Sequence, residues 1–171
     1  MQDARWVDRR RTVDRDNLLM RYLQNDKKFV AVLNRRHTVA RVLSGLCHAT
    51  AGLAAKVIDQ AEADFLPYVN DTDAFQASIS RYPFIVLEAK NGNQLATLRK
   101  AAVDNGLPVN VFISAMIGRS AEEQIANTKA AAGDALDYMA VVLFGDAAVV
   151  DPLTKKFSLF KGPALVENLS Q

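Results

Sequence analysis

The chain has 171 residues, of which 50% are hydrophobic and 23% are charged, a composition typical of one soluble globular domain. It has no apolar run of the roughly 20 residues that span a bilayer, its N-terminus lacks the apolar segment of a signal peptide, and its single cysteine excludes an internal disulfide. We therefore predict a cytoplasmic protein without membrane contacts.

The formal net charge of +2 is unevenly distributed along the chain. Up to Arg41 there are 11 basic and 5 acidic residues, whereas acidic residues outnumber basic ones in the remainder. We predict that residues 1–27 form a basic, loosely ordered arm, with Met20 as an alternative start, and that residues 28–171 form a single α/β domain. Such an arm either contacts phosphates or RNA, or acts only as a solubilising tail.

The apolar run Phe29–Leu33 predicts a strand that is covered on both faces. A basic turn follows, and Thr38 is a suitable N-cap for a long amphipathic helix within residues 37–60. Its apolar residues recur at spacings of three and four, which predicts a buried stripe. That stripe comprises Val39, Val42, Leu43, Leu46, Leu53, Val57 and Ile58.

A second face of the same helix carries Arg41, Ser44, Gly45, His48 and Gly52. Each glycine costs the helix about 1 kcal/mol relative to Ala. The two glycines therefore indicate close approach by another backbone, by a partner subunit or by a ligand.

Pro67 interrupts the next segment, and a short helix is predicted within residues 72–80. The capping box that begins at Ser120 predicts the start of a later helix. The other predicted elements are strands at 84–89, 109–113, 138–144 and 157–160, helices at 94–105 and 121–132, and a connection at 145–150. The alternation predicts an α/β sandwich with a largely parallel sheet.

The strongest functional signal is electrostatic. Basic residues surround the N-terminus of the long helix, where unpaired N–H groups and the helix dipole already create a positive potential. A bound phosphate or carboxylate would offset the resulting cost of about 0.3–1 kcal/mol per cation. A second corner of this kind lies at the start of the later helix. The predicted ligand-binding residues are Arg35, Arg36, Arg41, Ser44, His48, Arg119 and Ser120. Alternatively, the arginines extend into solvent and His48 is a core histidine.

The usual catalytic signatures are absent from the sequence, including the P-loop, the dinucleotide-binding glycine motif and the nucleophile elbow. His37 and His48 lie about 16 Å apart if both are helical, too far to share a metal. Cys47 is interpreted as a buried structural cysteine. We predict neither a metal site nor a cofactor.

Five short motifs in order resemble the type II peptidyl-tRNA hydrolases and, more closely, a bacterial family of unknown function that shares their fold. They lie between Lys28 and Lys161 and comprise Phe29–Leu33, Arg41–Ala49, Gly106–Val109, Gly118–Ser120 and Val141–Gly145. The resemblance implies a type II peptidyl-tRNA hydrolase-like fold, a three-layer α/β/α sandwich whose four-stranded mixed, mostly parallel sheet is covered by helices on both faces. Members of that family are often dimeric, so a homodimer is one expected partner arrangement.

The resemblance also carries over individual positions. Arg41 and Met116 occupy the positions of the hydrolases' catalytic lysine and aspartate, while Gly45, His48 and Ser120 match their glutamine, histidine and threonine. Met116 cannot exchange protons as a carboxylate does, and an arginine stays protonated at any physiological pH. No catalytic residue is therefore assigned: the candidates are Arg41, His48 and Ser120, and enzymatic activity is left open.

Three functions follow from the sequence. The first is binding of an anionic small molecule or nucleotide by a protein that has lost the hydrolase site. The second is a remodelled peptidyl-tRNA hydrolase or esterase that uses Ser120, Glu122 or Glu123. The third is an RNA-binding module that uses the basic residues up to Arg41, although no aromatic platform for bases accompanies them.

Overall fold

The computed structural model describes residues 26–162. Its strands are β1 (Lys27–Asn34), β2 (Phe65–Val69), β3 (Gln76–Ser80), β4 (Phe84–Ala89), β5 (Val109–Ile113), β6 (Tyr138–Asp146) and β7 (Ser158–Leu159). Its α-helices are α1 (Val39–Gly52), α2 (Gln60–Ala63), α3 (Gly92–Asp104), α4 (Ala121–Ala130) and α5 (Ala147–Thr154). The predicted basic arm lies outside the described residues, apart from its last two positions.

The main sheet has five strands in the order β5-β6-β1-β4-β7. Only β1 and β4 are parallel neighbours, while the pairs β1–β6, β5–β6 and β4–β7 are antiparallel. The mixed sheet is thus confirmed, but the prediction of four mostly parallel strands is wrong. The short edge strand supplies the fifth, and β6 returns antiparallel between β5 and β1.

Helices cover both faces of the sheet. Successive side chains of β1 point to opposite faces, and on each face they belong to an apolar cluster that a helix covers. Val30 and Val32 pack with Leu95 and Leu98 of α3 on one face. Phe29, Ala31 and Leu33 point to the opposite face, which α1 covers. The prediction that this strand is covered on both faces is confirmed, and the strand positions α1 and α3 on opposite sides.

Helix α1 is shorter than the predicted helix. It ends at Gly52, and a π-helical turn follows, in which the Ile58 amide donates to the Leu53 carbonyl at 3.1 Å. Leu43 and Val57 were expected in the buried stripe, but they are 41% and 45% exposed. The buried residues of α1 are instead Val42, Gly45 and Ala49. The two small residues among them allow β5 to pack close to the helix.

Two further predictions are corrected by the structure. Residues 76–80 form a strand that pairs with β2 in a separate two-stranded hairpin, not a helix. The predicted connection at 145–150 is mostly helix α5, which includes Pro152. The hairpin is apolar and exposed, because Val69, Phe75 and Ile79 are 65%, 53% and 53% accessible.

Within residues 26–162, no helix combines the length and the apolar character that a membrane crossing requires.

Candidate ligand-binding cleft

A cleft of about 580 Å³ opens between α1 and α4, beside the edge strand β5. Pockets that bind small molecules have volumes of roughly 300–1,000 Å³. The residues that line this cleft are His48, Ala49, Asn110, Val111, Phe112, Met116, Gln124, Ile125, Thr128 and Lys129. Five of these ten residues are polar, yet most of the surface of the cleft is apolar, as in many ligand sites.

The inner wall depends on the close packing of α1 against β5. A Cβ atom at Gly45 would lie 2.9 Å from Cδ1 of Phe112, and one at Gly52 would lie 2.6 Å from Nδ2 of Asn110. The close approach that the two glycines indicated is therefore made by side chains of β5. One turn after Gly45, the His48 ring stacks on Phe112 with 5.7 Å between centroids and 15° between planes.

Several polar side chains of the cleft already form hydrogen bonds within the protein. The Asn110 side chain donates to the Ala49 carbonyl at 3.0 Å and accepts from the Val111 amide at 2.9 Å, so its role is structural. The Thr128 hydroxyl donates to the backbone carbonyl of Gln124 at 2.7 Å. The side-chain amide of Gln124 donates to the backbone carbonyl of Gly118 at 3.1 Å.

His48 and Lys129 supply the ionisable side chains of the cleft. Neither forms an ion pair within the part of the chain that the structure describes. No described carboxylate lines the cleft. A ligand there meets a neutral or positive wall, which favours an acidic group.

Helix α4 forms the outer wall and has no buried residue. Its Ile125 lines the cleft while remaining 69% exposed. An isoleucine that is exposed on the wall of a cavity gains burial when an apolar molecule fills that cavity, at roughly 25 cal/mol per Å² of apolar surface. The outer wall of the cleft is therefore suited to an apolar ligand.

A capping box fixes the start of α4. The Ser120 hydroxyl accepts from the Glu123 amide at 3.2 Å, and the Glu123 carboxylate accepts from the Arg119 amide at 2.8 Å. The Ser120 cap of the predicted capping box is thus confirmed, whereas the Glu123 carboxylate bonds to the amide of the residue before the N-cap rather than to that of Ser120. Hydrogen bonds from its own backbone N–H and from the Ser120 hydroxyl lower the pKa of the Glu122 carboxyl. Ser120 serves as a cap and does not line the cleft.

We expect Ser120→Ala to destabilise α4 by about 1 kcal/mol, because the first-turn amides lose their acceptor. Hydrogen exchange of the α4 amides measures this loss, and protection should fall there while α3 is unaffected. Ser44→Ala is the matched control, since Ser44 is exposed in the interior of α1. Equal protection of α4 in both variants would contradict the capping role.

The structure separates the predicted ligand-binding residues. Of that set, His48 lines the cleft, whereas Arg35 lines a second, smaller cavity. Arg36, Arg41, Ser44, Arg119 and Ser120 are exposed and line neither cavity. Thr38 occupies the N-cap position of α1, but its side chain makes no capping hydrogen bond. Cys47 is exposed rather than buried.

A buried polar network lies at the carboxyl end of β1. Asn34, which is 1% exposed, donates to the Tyr138 carbonyl at 2.9 Å and accepts from the Arg36 amide at 3.1 Å. His37 Nε2 lies 2.9 Å from Asp137 Oδ2. These contacts join the turn after β1 to the start of β6 and fix where the basic residues leave the sheet.

Sequence reasoning missed most of the cleft residues, in particular Phe112, Gln124 and Ile125. One signal was available, because positions 124, 125, 128 and 129 recur on one face of a helix that lacks a consistent apolar stripe. Within residues 26–162, no group of three His, Cys, Asp or Glu side chains is arranged to hold a metal ion.

Comparisons with known proteins address the fold. A family model described as a protein of unknown function, DUF2000, matches residues 27–161. No curated protein matches the chain. A solved structure of a protein of unknown function from Agrobacterium tumefaciens strain C58 is similar, with a TM-score of 0.64 and 19% identity over 79% of this chain and 98% of that one. At that identity the likeness shows a shared fold alone.

Proposed function

The chain belongs to the DUF2000 family of proteins of unknown function, and from that premise we propose that it binds a small organic anion in the cleft between α1 and α4. The observation that carries this proposal is the lining of the cleft. Most of the surface of its wall is apolar, half of its lining residues are apolar, and its ionisable groups are the basic residue Lys129 and the histidine His48. A ligand with an apolar or planar body and one acidic group, including a nucleoside monophosphate, matches that wall.

Each part of the ligand has a counterpart in the cleft. The apolar body would contact Phe112, Met116 and Ile125. The acidic group would face Lys129, which is exposed, so the pair contributes about 1 kcal/mol rather than the larger energy of a buried pair. Apolar contact therefore supplies most of the affinity, and the charge selects among ligands of similar shape.

The resemblance to the type II peptidyl-tRNA hydrolases supports the same location. It aligns Met116 and His48 with hydrolase residues, and both side chains line the cleft. The hydrolase-like fold and the loss of its catalytic lysine and aspartate are part of this proposal. Binding is favoured over hydrolysis because no described carboxylate lines the cleft to orient a water molecule, and because Ser120 acts as a helix cap.

The RNA-binding alternative rests on the basic residues up to Arg41, of which those before residue 26 lie outside the described residues. It gains no support from the cleft, whose lining includes a single basic residue, Lys129, besides His48.

We expect the protein to bind naphthoate more tightly than naphthamide, because the two probes share a body and differ in charge. Isothermal titration should show a preference of about fivefold, the equivalent of about 1 kcal/mol. Lys129→Gln should abolish the preference while leaving the affinity for naphthamide unchanged. Lys100→Gln is the control, since Lys100 is 75% exposed and paired with Asp104 on α3.

Ile125→Asp provides a second variant that is expected to fold, because Ile125 is 69% exposed. A carboxylate at that position repels naphthoate, so binding of naphthoate should fall at least as far as in Lys129→Gln. The proposal is contradicted if the wild-type protein binds neither probe at about 10 mM, or if Lys100→Gln and Lys129→Gln behave alike.

A further inference from the structure

A second binding position is suggested by the topology of the main sheet. The neighbouring strands β1 and β4 are parallel, yet the helices that follow them, α1 and α3, pack on opposite faces. The two chain segments diverge where the strands end, at the paired residues Asn34 and Ala89. In open α/β sheets, ligands bind in the crevice that such a divergence leaves at the carboxyl ends of the strands.

A cavity of about 100 Å³ occupies this crevice. Three basic side chains line it, and they come from segments that are distant in sequence: Arg35 follows β1, Lys90 follows β4, and Lys156 precedes β7. The remaining lining residues are Glu88, Ala89, Gln94, Phe157 and Ser158.

The charges of this cavity do not cancel. None of Arg35, Lys90 and Lys156 forms an ion pair with a carboxylate of residues 26–162. Glu88 is the one carboxylate among the lining residues, and it accepts a hydrogen bond from the Ser158 hydroxyl at 3.4 Å. Three positive charges and one negative charge share the cavity, so a net attraction for anions is left.

The backbone holds these residues in place. The Arg35 amide donates to the Ala89 carbonyl at 3.1 Å, which continues the β1–β4 ladder by one residue. The Lys90 amide donates to Gln94 Oε1 at 2.8 Å. Lys156 Nζ lies 5.2 Å from the centroid of Phe157, whose side chain belongs to the apolar core. The three basic residues therefore line one cavity because the sheet edge fixes the positions of their backbones.

We propose that this cavity is a site for a tetrahedral oxyanion, namely phosphate or the phosphoryl group of a phosphate monoester. Its volume accommodates one such group, and the organic part of a monoester would extend into solvent. Guanidinium and ammonium groups are the usual partners of phosphoryl oxygens. The site shares no lining residue with the cleft between α1 and α4, so it is independent of the function proposed above.

Amide NMR spectra recorded during titration with inorganic phosphate, and separately with glycerol phosphate, test this site. Sodium chloride of matched ionic strength is the reference. We expect saturable shifts at Arg35, Lys90 and Ser158 with both phosphates and none with chloride. Tighter binding of glycerol phosphate would identify the monoester as the preferred form, and tighter binding of inorganic phosphate would identify the free ion.

Four variants test whether phosphate affinity changes in the direction, as well as by the amount, that the charges of the cavity predict. Lys90→Gln and Lys156→Gln should each weaken phosphate binding by about threefold to tenfold, whereas Glu88→Gln should strengthen it by about threefold, because a like charge is removed. Lys155→Gln is the matched control, since Lys155 is exposed but does not line the cavity.

The proposal is overturned by phosphate shifts that do not saturate by about 50 mM. It is equally overturned if Lys155→Gln and Lys156→Gln weaken binding to the same extent, because that result describes a general counterion effect. All of these substitutions are at exposed or half-buried positions, so the variants are expected to fold.

Discussion

Asn34→Asp is expected to destabilise the protein by about 3 kcal/mol at neutral pH, which combines a lost buried hydrogen bond with an unpaired buried charge. The side chain is 1% exposed, and its amide nitrogen donates to the Tyr138 carbonyl at 2.9 Å. A carboxylate would face that carbonyl without a proton to donate. It would also lie near the Asp137 carboxylate, whose Oδ1 is 3.5 Å from the present amide nitrogen.

Urea unfolding measures this loss, and its pH dependence has a defined sign. Burial beside Asp137 raises the pKa of the introduced carboxyl in the folded state above its unfolded value. The deficit is therefore complete above the folded-state pKa, and it shrinks as the pH falls through that value and the carboxyl regains a proton.

Asn105→Asp is the matched control for this substitution. Asn105 also donates from its side chain to a backbone carbonyl, that of Ala101 at 2.8 Å, but it is exposed. Its loss should stay below about 1 kcal/mol. Equal losses in the two variants would show that burial of Asn34 does not determine its contribution.

Gly45→Val is expected to cost about 2–3 kcal/mol, because it overpacks the contact between α1 and β5. Even the first added atom, Cβ, would lie 2.9 Å from Cδ1 of Phe112 and 3.3 Å from its Cβ. The Phe112 ring would have to move, and the His48 ring that stacks on it would move as well. We therefore expect weaker naphthoate binding in addition to lower stability.

Ala51→Val on the same helix is the control for Gly45→Val, since Ala51 is exposed and valine there costs about 0.5 kcal/mol in helix propensity. Helix propensity favours valine over glycine by a few tenths of a kcal/mol at position 45, so a larger loss of stability in Gly45→Val than in Ala51→Val on urea denaturation reports the packing effect. If the two variants are equally stable, Gly45 is not required for the approach of β5.

The sequence patterns that predicted the fold correctly were those of the core. The apolar run Phe29–Leu33 forms the centre of β1, as predicted. The glycines of α1 did indicate a close contact, but side chains of β5 make it, rather than a backbone, a partner subunit or a ligand. The prediction of a short helix within residues 72–80, where β3 lies, was wrong because residues 65–80 bury little surface, so hydrophobic periodicity carried little information there. Even so, Gln76–Ser80 alternates polar and apolar residues, which is the period of a strand.

The candidate site was predicted less well, for a physical reason. Helical spacing placed His48 beside Arg41 and Ser44, but spacing within one helix does not reveal what packs across from it. Whether His48 faces a cavity depends on Phe112 and on α4, which are joined to α1 only by tertiary packing. In the same way, Arg35, Lys90 and Lys156 meet only because β4 and β7 pair at the sheet edge.

The position of β1 in the sheet also governs when the chain can fold. Its first residue, Lys27, pairs with Asp146, almost at the other end of the described chain. A nascent chain that stops before β6 therefore leaves one edge of its central strand open, with the apolar residues of α1 only partly covered. Pairing over such a sequence distance slows folding relative to proteins whose contacts are mostly local. Emergence of β6, rather than emergence of the first strands, is thus the step after which β1 is paired on both edges, and fragments that end before β6 are the species most prone to aggregate.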